Sequence, residues 1–463
     1  MRFWELIPGR FSIIIKQSAA RERVGTKRST WENAMKAAVY TLGCKVNQYE
    51  SQEMLGLLQR NGYDPVDVKD EADVYVVNSC TVTAESSRKT RQTVRRLRHD
   101  HPNAVIVLTG CYPQAFAQEV EQLREADIVL GNRANGELTA RLEEFFADRK
   151  RIAATRPHQR DDAYSGGIIT HFEGHTRAFV KIQDGCNRYC TYCIIPKARG
   201  FSRSKPLEEI RREVALLAEN GYKEVVFVGI NLSAYGRDIG LNLCDALETA
   251  EKTEGIERIR LGSLEPDHIT DEVIERLAEM TKFCPQFHLS LQSGCDKTLK
   301  RMNRHYTAAE YAALCEKLKA AFPGLSLTTD IIAGFPGETE EDFDETVAFA
   351  QRIGSMKVHV FPFSPREGTP AFDYPDQVPA AVKEARCAKL QSAADAVRET
   401  FMRTLAGQTV DVLFETAKDG VQHGYTRNYT PVSVAASQPL TGKILPVRIT
   451  GTTDGVCTGI LSN

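Results

Sequence analysis

The sequence predicts an α/β protein: an N-terminal parallel α/β sheet domain, a central partial (β/α)6 barrel and a small C-terminal β-barrel. Three observations predict this. Short apolar runs closed by Gly or Cys alternate with amphipathic stretches from Lys36 to about Lys150. The alternation resumes from about Ala178 to Pro362. From Val410 the chain changes to short β-type runs between Gly, Thr and Asn turns.

At 463 residues the chain exceeds one typical domain. Residues 1–35 read as a poorly ordered extension. Up to Ala34 it carries seven Lys/Arg and three Glu, without a clear period. Met35 directly precedes the first good strand, so a later translation start fits; an Arg-rich targeting peptide is the rival reading, opposed by Glu5, Glu22 and Glu32. The best apolar run, Phe11 to Ile15, is ended by Lys16. That is far short of the roughly 18 residues of a membrane helix, so no membrane partner is expected.

Residues 36–150 form the first expected domain. Its strands are Ala38–Cys44, Val74–Cys80 and Val105–Cys111, with an amphipathic stretch from Glu50 to Asn61. Residues 151–172 read as a linker, polar and aperiodic from Arg156 to Gly167. Residues 173–400 carry six candidate strands: Ala178–Ile182, Glu224–Val228, Arg258–Gly262, Phe287–Gln292, Ser326–Ile332 and Lys357–Pro362. Six fit an open barrel; a complete one would need about eight. A helical period runs from Ala380 to Leu405. Residues 401–463 form the β-barrel, with strands at Val410–Glu415, Val432–Val434 and Ile444–Ile449.

Apolar residues at 42% and charged residues at 26% suit ordinary cores. A net charge of -2 gives no global nucleic-acid signal, so RNA contact must rest on local patches. There are twelve cysteines and no sign of secretion. A reducing, cytoplasmic setting and metal-bound thiols are therefore expected rather than disulfides. Six cysteines fall into two patterned sets. Cys244, Cys284, Cys295, Cys315, Cys387 and Cys457 are scattered and read as buried or half-buried packing.

The first set is Cys186, Cys190 and Cys193, spaced C-x3-C-x2-C. Three thiolates this close can wrap one face of a cubane cluster and leave one iron open. A zinc site completed by His or a fourth Cys is the alternative, but neither residue follows nearby. The spacing resembles the signature of the radical S-adenosylmethionine superfamily. The resemblance implies that the open iron chelates S-adenosylmethionine. One electron, from a donor of flavodoxin or ferredoxin type, then cleaves the sulfonium to a 5′-deoxyadenosyl radical. It also implies cofactor contacts. Tyr192 would pack on the adenine. Gly229 and Asn231 would meet the methionine amine. Ser263 and Glu265 would lie near the ribose. Gln292 ends a further strand, and Asp330 and Gly334 belong to a strand and turn against the adenine. All fall at expected C-terminal strand ends, where barrel active sites form. Each alone also reads as a plain strand-to-helix turn.

The second set is Cys44, Cys80 and Cys111. Each ends an apolar run, twice directly after Gly. Parallel strands bring such ends to one edge, so the thiols could converge. Three buried cysteines ending core strands explain the pattern equally well. The segments Thr41–Ser51, Val77–Thr83 and Thr109–Tyr112 resemble the N-terminal domain of methylthiotransferases, and the tail resembles a TRAM RNA-binding domain. The likeness runs from residue 36 to the end. Gly-Cys-Lys-Val-Asn-Gln, from Gly43, is similar to the threonylcarbamoyladenosine tRNA branch. The isopentenyladenosine branch typically has Met before Asn, and the ribosomal-protein branch Pro-Lys-Asn.

The resemblance implies two [4Fe-4S] clusters, with Cys44, Cys80 and Cys111 holding the one that carries sulfur. It implies a tRNA substrate, methylthiolated at C2 of N6-threonylcarbamoyladenosine at position 37. The source of the sulfur stays open. The alternatives are isopentenyladenosine tRNA, a ribosomal-protein aspartate, or a non-catalytic iron–sulfur or zinc RNA-binding protein.

Three segments bear on RNA. Between Glu85 and Asp100 stand Arg88, Lys89, Arg91, Arg95, Arg96 and Arg98. They form either a phosphate-attracting face or a solvated helix surface. Arg199 and Arg203 add a basic pair after the cysteine loop. Tyr425 to Tyr429 could stack bases or form a hairpin turn.

Overall fold

The computed structural model describes residues 34–172 and 174–462. The extension expected over residues 1–35 lies outside them but for Ala34 and Met35. Among the described residues no helix is long and apolar enough to cross a membrane. The chain divides into two compact units. The first comprises the described residues up to Gly174 with Asp184–Arg188 and Cys193–Lys205; the second comprises His175–Gln183, Tyr189–Tyr192 and the described residues from Pro206 onward.

In the first unit six strands pair in parallel: β1 (Lys36–Thr41), β2 (Asp64–Pro65), β3 (Val74–Ser79), β4 (Val105–Gly110), β5 (Ile128–Leu130) and β6 (Ile152–Ala154). Their order is β2-β1-β3-β4-β5-β6. The segment expected as a linker thus begins with an edge strand. The helices of this sheet include α1 (Lys45–Arg60), α2 (Ala84–Asp100), α3 (Cys111–Ala115) and α4 (Leu138–Asp148). Successive strand residues face opposite sides. Ala38, Tyr75, Val77, Ile106 and Leu108 pack with Val94 and Leu97 of α2. Ala37, Val39, Val76 and Val107 pack with Met54, Leu55 and Leu58 of α1. Both faces are covered, which is why these runs are apolar throughout. Helix α5 (Ile195–Arg199) joins this unit, with Ile194 and Ala198 in the core of Cys111 and Tyr112.

The second unit contains the expected open barrel. Its strands are β7 (Arg177–Lys181), β8 (Glu224–Val228), β9 (Arg258–Leu261), β10 (Ser263–Leu264), β11 (Gln286–Leu289), β12 (Ser326–Ala333) and β13 (Lys357–Pro362). They pair in parallel as β9-β8-β7 and β10-β11-β12-β13. Gly262 separates β9 from β10, so the third expected strand ends at Leu261 and a short strand beyond it, β10, joins the second sheet. A bridge from Ile259 to Phe283 spans the break.

Helix α6 (Ala380–Arg403) leads to a closed five-stranded barrel. Its strands are β14 (Thr409–Lys418), β15 (Val421–Thr426), β16 (Pro431–Ala435), β17 (Ile444–Thr453) and β18 (Val456–Leu461). Val412, Phe414, Val432, Val434, Val447 and Ile449 fill it. The sequence expectation held only three of these strands. In β15 the inward residues are Gln422, Gly424 and Thr426, so its buried face carries no apolar signal. The scattered cysteines are packing residues, as expected: Cys244, Cys284, Cys295, Cys315 and Cys457 are buried and Cys387 half-buried.

Of the two readings of Tyr425 to Tyr429, the hairpin turn after β15 is the one the structure shows. Tyr425 and Tyr429 stack on each other with ring centroids 4.5 Å apart, not on a free surface. The guanidinium groups of Arg177 and Arg260 lie 4.9 and 4.6 Å from the Tyr429 ring. Arg258 donates to the Tyr425 carbonyl at 3.1 Å, and Arg260 to the Arg427 carbonyl at 3.1 Å. These arginines begin the barrel strands, so the turn docks at the N-terminal strand ends. Burial alone would raise the Glu224 carboxyl, but Arg260 and Arg177 outweigh it and hold the group at about 2.

Candidate active site

The three cysteines of the N-terminal sheet follow three adjacent strands. Register pairs Thr41 with Asn78 and Ser79 with Gly110, so β1, β3 and β4 end together. Cys44 caps α1 in extended conformation (φ -87°, ψ 179°), which is why α1 starts at Lys45 rather than Glu50. Cys80 follows β3 directly, and Cys111 opens α3. Cys44 is exposed, whereas Cys80 and Cys111 are buried. Two glycines permit this closeness. A Cβ on Gly43 would meet Cys80 Cβ at 2.8 Å, and one on Gly110 (φ +96°) would meet Ser79 O at 2.5 Å.

The motif residues after Cys44 build the floor. Asn47 is fully buried and donates to Ser79 O at 2.9 Å and Leu42 O at 3.1 Å. Its Oδ1 accepts from Cys44 Sγ at 3.4 Å. Asn78 donates to Asn47 O at 2.9 Å and Ser51 Oγ at 3.0 Å.

Arg199 corrects an expectation. It is completely buried within the first unit and faces no RNA. Nε donates to Cys111 Sγ at 3.1 Å, and Nη2 to Glu50 Oε2 at 2.9 Å and Asn47 Oδ1 at 3.1 Å. Nη1 contacts Glu50 Oε1 and lies 3.5 Å from Asp184 Oδ2. Arg203 is also buried, 3.3 Å from Asp184. Burial pushes the Cys111 thiol up to about 12, with Arg199 pulling the other way. Burial likewise raises Cys80, and Cys44 adds to the rise.

Of the C-x3-C-x2-C loop, Cys186 and Cys193 belong to the first unit and Cys190 to the second. The Cys186 amide donates to Gly200 O at 3.0 Å. Cys190 is buried, and its Sγ accepts from Arg304 Nη1 at 3.3 Å. Arg304 Nη2 also donates to Glu265 Oε2 at 2.5 Å and Ser290 O at 3.1 Å. Each cysteine set therefore has one member bound by a buried arginine.

Of the other expected cofactor residues, Gly229, Asn231, Ser263, Glu265, Gln292 and Gly334 stand at or near the ends of barrel strands in the second unit, whereas Tyr192 lies in the cysteine loop and Asp330 within β12 rather than at its end. Tyr192 meets Phe335 edge-on, with centroids 6.4 Å apart. Gly229 closes β8 against Gln183, where a Cβ would meet the side chain at 3.0 Å. The Asn231 amide donates to Gln183 Oε1 at 2.7 Å. Ser263 is exposed on β10, and the Glu265 amide donates to Ser233 Oγ at 2.8 Å. Gln292 has φ +69°, and its amide donates to Asp330 O at 2.8 Å. Gly334 (φ +75°) donates to Glu338 Oε2 at 2.7 Å. Burial pushes the Glu338 carboxyl up to about 7, opposed by this N–H and by Arg386.

The basic helix is largely neutralised. Arg88 pairs with Glu85, Arg91 with Glu119, Arg95 with Glu125 and Arg98 with Asp127. The guanidinium of Arg96 lies over the Tyr40 ring at 5.9 Å. A solvated, acid-paired surface describes α2 better than a phosphate track.

The donor sets fit iron–sulfur clusters. Three thiols and a buried N–H donor to one sulfur are what a thiolate-held cluster asks of its surroundings. Comparison with known proteins agrees. The family model described as Radical SAM superfamily matches residues 180–350. The model described as Uncharacterized protein family UPF0004 matches residues 36–131. Together with the open barrel they mark the radical SAM class.

The chain is 39% identical to the threonylcarbamoyladenosine tRNA methylthiotransferase of Bacillus subtilis (strain 168), over 89% of this chain and 93% of that protein. It is 40% identical to the enzyme of that name from Aquifex aeolicus (strain VF5), over 82% and 92%. A tRNA-2-methylthio-N(6)-dimethylallyladenosine synthase of Pelotomaculum thermopropionicum is 34% identical, over 92% and 98%. The chain belongs to the radical SAM methylthiotransferases, in the branch of the threonylcarbamoyladenosine tRNA enzymes. In fold it is similar to the radical S-adenosylmethionine methyltransferase TsrM of Kitasatospora setae, solved with cobalamin and a [4Fe-4S] cluster. The TM-score is 0.54 at 14% identity, over 84% of this chain and 80% of that one.

Proposed function

We propose that this chain is a tRNA methylthiotransferase that places a methylthio group on C2 of N6-threonylcarbamoyladenosine at position 37. The observation that carries the reading is identity of about two residues in five to enzymes of that name across nearly their whole length. Dimethylallyladenosine tRNA is the second reading, supported by the 34% relative.

Cys186, Cys190 and Cys193 would hold one [4Fe-4S] cluster, and Cys44, Cys80 and Cys111 the other. When bound, the first with S-adenosylmethionine supplies a carbon-centred radical, and the second supplies sulfur. The chain's own residues orient and shield. Arg304 ties Cys190 to Glu265 and so links a cysteine to the residue read as the ribose contact. Tyr192 and the turn from Gly334 to Glu338 offer an apolar wall with Phe335 for the adenine. Gly229 and Asn231 present backbone to the methionine end. Ser263 and Gln292 complete the rim of strand ends. Asp330 contributes through its carbonyl to Gln292, while its carboxylate points elsewhere. Arg199 and Asn47 hold Cys111 and Cys44 in place.

The domains would be residues 36–150 extended by the edge strand Ile152–Ala154, then 173–400 and 401–463, with the rest of 151–172 between the first two. A cytoplasmic enzyme supplied with electrons by a flavodoxin or ferredoxin type protein completes the reading. Mass spectrometry of tRNA nucleosides from a deletion strain tests it. Loss of methylthio-threonylcarbamoyladenosine is expected. Undiminished levels would overturn it, and loss of methylthio-dimethylallyladenosine instead would favour the second reading.

A further inference from the structure

The barrel interior carries a polar cluster that the cysteine sets do not use. Register pairs His288 of β11 with Thr328 of β12, and Asp330 of β12 with His359 of β13. Side chains two apart on a strand, and those directly opposite on its neighbours, share a face. One nitrogen from each imidazole and one Asp330 oxygen all lie within 4.8 Å of one another. His288 Nε2 is 3.1 Å from Asp330 Oδ2. Its other nitrogen, Nδ1, is 2.9 Å from Thr328 Oγ1, which also accepts from Gln286 at 3.2 Å. All three cluster residues are half-buried, as groups lining a solvent-reached space are.

The geometry points to a divalent metal site formed by His288, Asp330 and His359. Two imidazoles and a carboxylate are a donor set for first-row divalent ions. Small side-chain shifts bring donors this close onto one centre at about 2.1 Å. Thr328 fixes the His288 ring through Nδ1 and leaves Nε2 turned to the centre, as second-layer hydrogen bonds do for metal-bound histidines. Three protein ligands leave positions open toward the lumen. If the proposed function is right, those positions suit the hydroxyl and carboxylate oxygens of a threonylcarbamoyl substituent. A cation there would also offset the repulsion between the Asp330 carboxylate and that of the substituent.

The test uses the cluster-loaded full chain, oxidised so that its clusters are EPR-silent, and Mn2+ alone as the probe. Mn2+ is a hard ion that avoids thiolates. The six-line signal of free Mn2+ should fall until one ion is taken up per chain. Asp330→Asn and His359→Gln should abolish that uptake while the visible cluster absorbance persists. Thr328→Val should weaken it about tenfold. A wild-type chain that takes up no Mn2+ overturns the proposal whatever the variants do, as does stoichiometric uptake that survives both Asp330→Asn and His359→Gln. No tRNA is present, so failure here is distinct from failure of the substrate reading.

Discussion

Arg199 turns a run of sequence into a site. It stands shortly after Cys193, yet its guanidinium reaches Cys111 and Glu50, far away in the sequence but within the same unit. A buried cation here holds two buried carboxylates and one thiol at once. Removing one member of such a set leaves charge uncompensated. Arg199→Gln should therefore destabilise the first unit by about 3–5 kcal/mol, read in denaturant melts of the cluster-free chain. Arg199→Lys keeps the charge but loses the fork, and should recover only part. Gly110→Ala should cost about 2 kcal/mol or more, because φ is +96° and the new Cβ meets Ser79 O. Its iron content after anaerobic reconstitution should fall with it. The C-x3-C-x2-C loop was legible because its ligands are sequence neighbours. Cys44, Cys80 and Cys111 were legible only as strand ends. Arg199 was misread as an RNA contact because charge is visible in a sequence and burial is not; the motif residues Asn47 and Glu50 had no visible partner either.

At the scale of elements, apolar alternation made β1, β3 and β4 plain, since both faces of a parallel sheet are buried. It failed for β15, whose inward residues are polar or Gly. The turn after β15 shows what that strand is for. Tyr425→Ala should cost about 2 kcal/mol by loss of its stacking on Tyr429 and of the Arg177 guanidinium, 5.2 Å from its ring. It should leave the salt dependence of tRNA binding unchanged, measured by filter binding across an ionic-strength series. A changed slope would restore the RNA reading of that turn. His175, packed beside Arg177 and Phe179, is held down at about 4 by burial, with Arg177 adding to the effect. Below the ordinary value of 6.5 the unfolded chain binds a proton there and the folded chain does not. Stability of the second unit should fall as pH drops from that value toward 4, and His175→Gln should remove about 2 kcal/mol of the acid-side loss. Urea melts at pH 7.5 and near the lower limit would show it.

For the whole molecule, two separate cysteine sets predict two separable jobs. Anaerobic reconstitution should give about eight irons per chain. Cys44→Ala with Cys80→Ala should halve that count. The most direct measurement is product analysis of this double variant beside the wild type. Each is incubated anaerobically with dithionite, S-adenosylmethionine and tRNA bearing threonylcarbamoyladenosine. The wild type should yield both 5′-deoxyadenosine and methylthio-threonylcarbamoyladenosine. The variant should still yield 5′-deoxyadenosine but no methylthiolated nucleoside. Methylthiolation that persists in the variant would contradict the assignment of Cys44, Cys80 and Cys111 to the sulfur-carrying site.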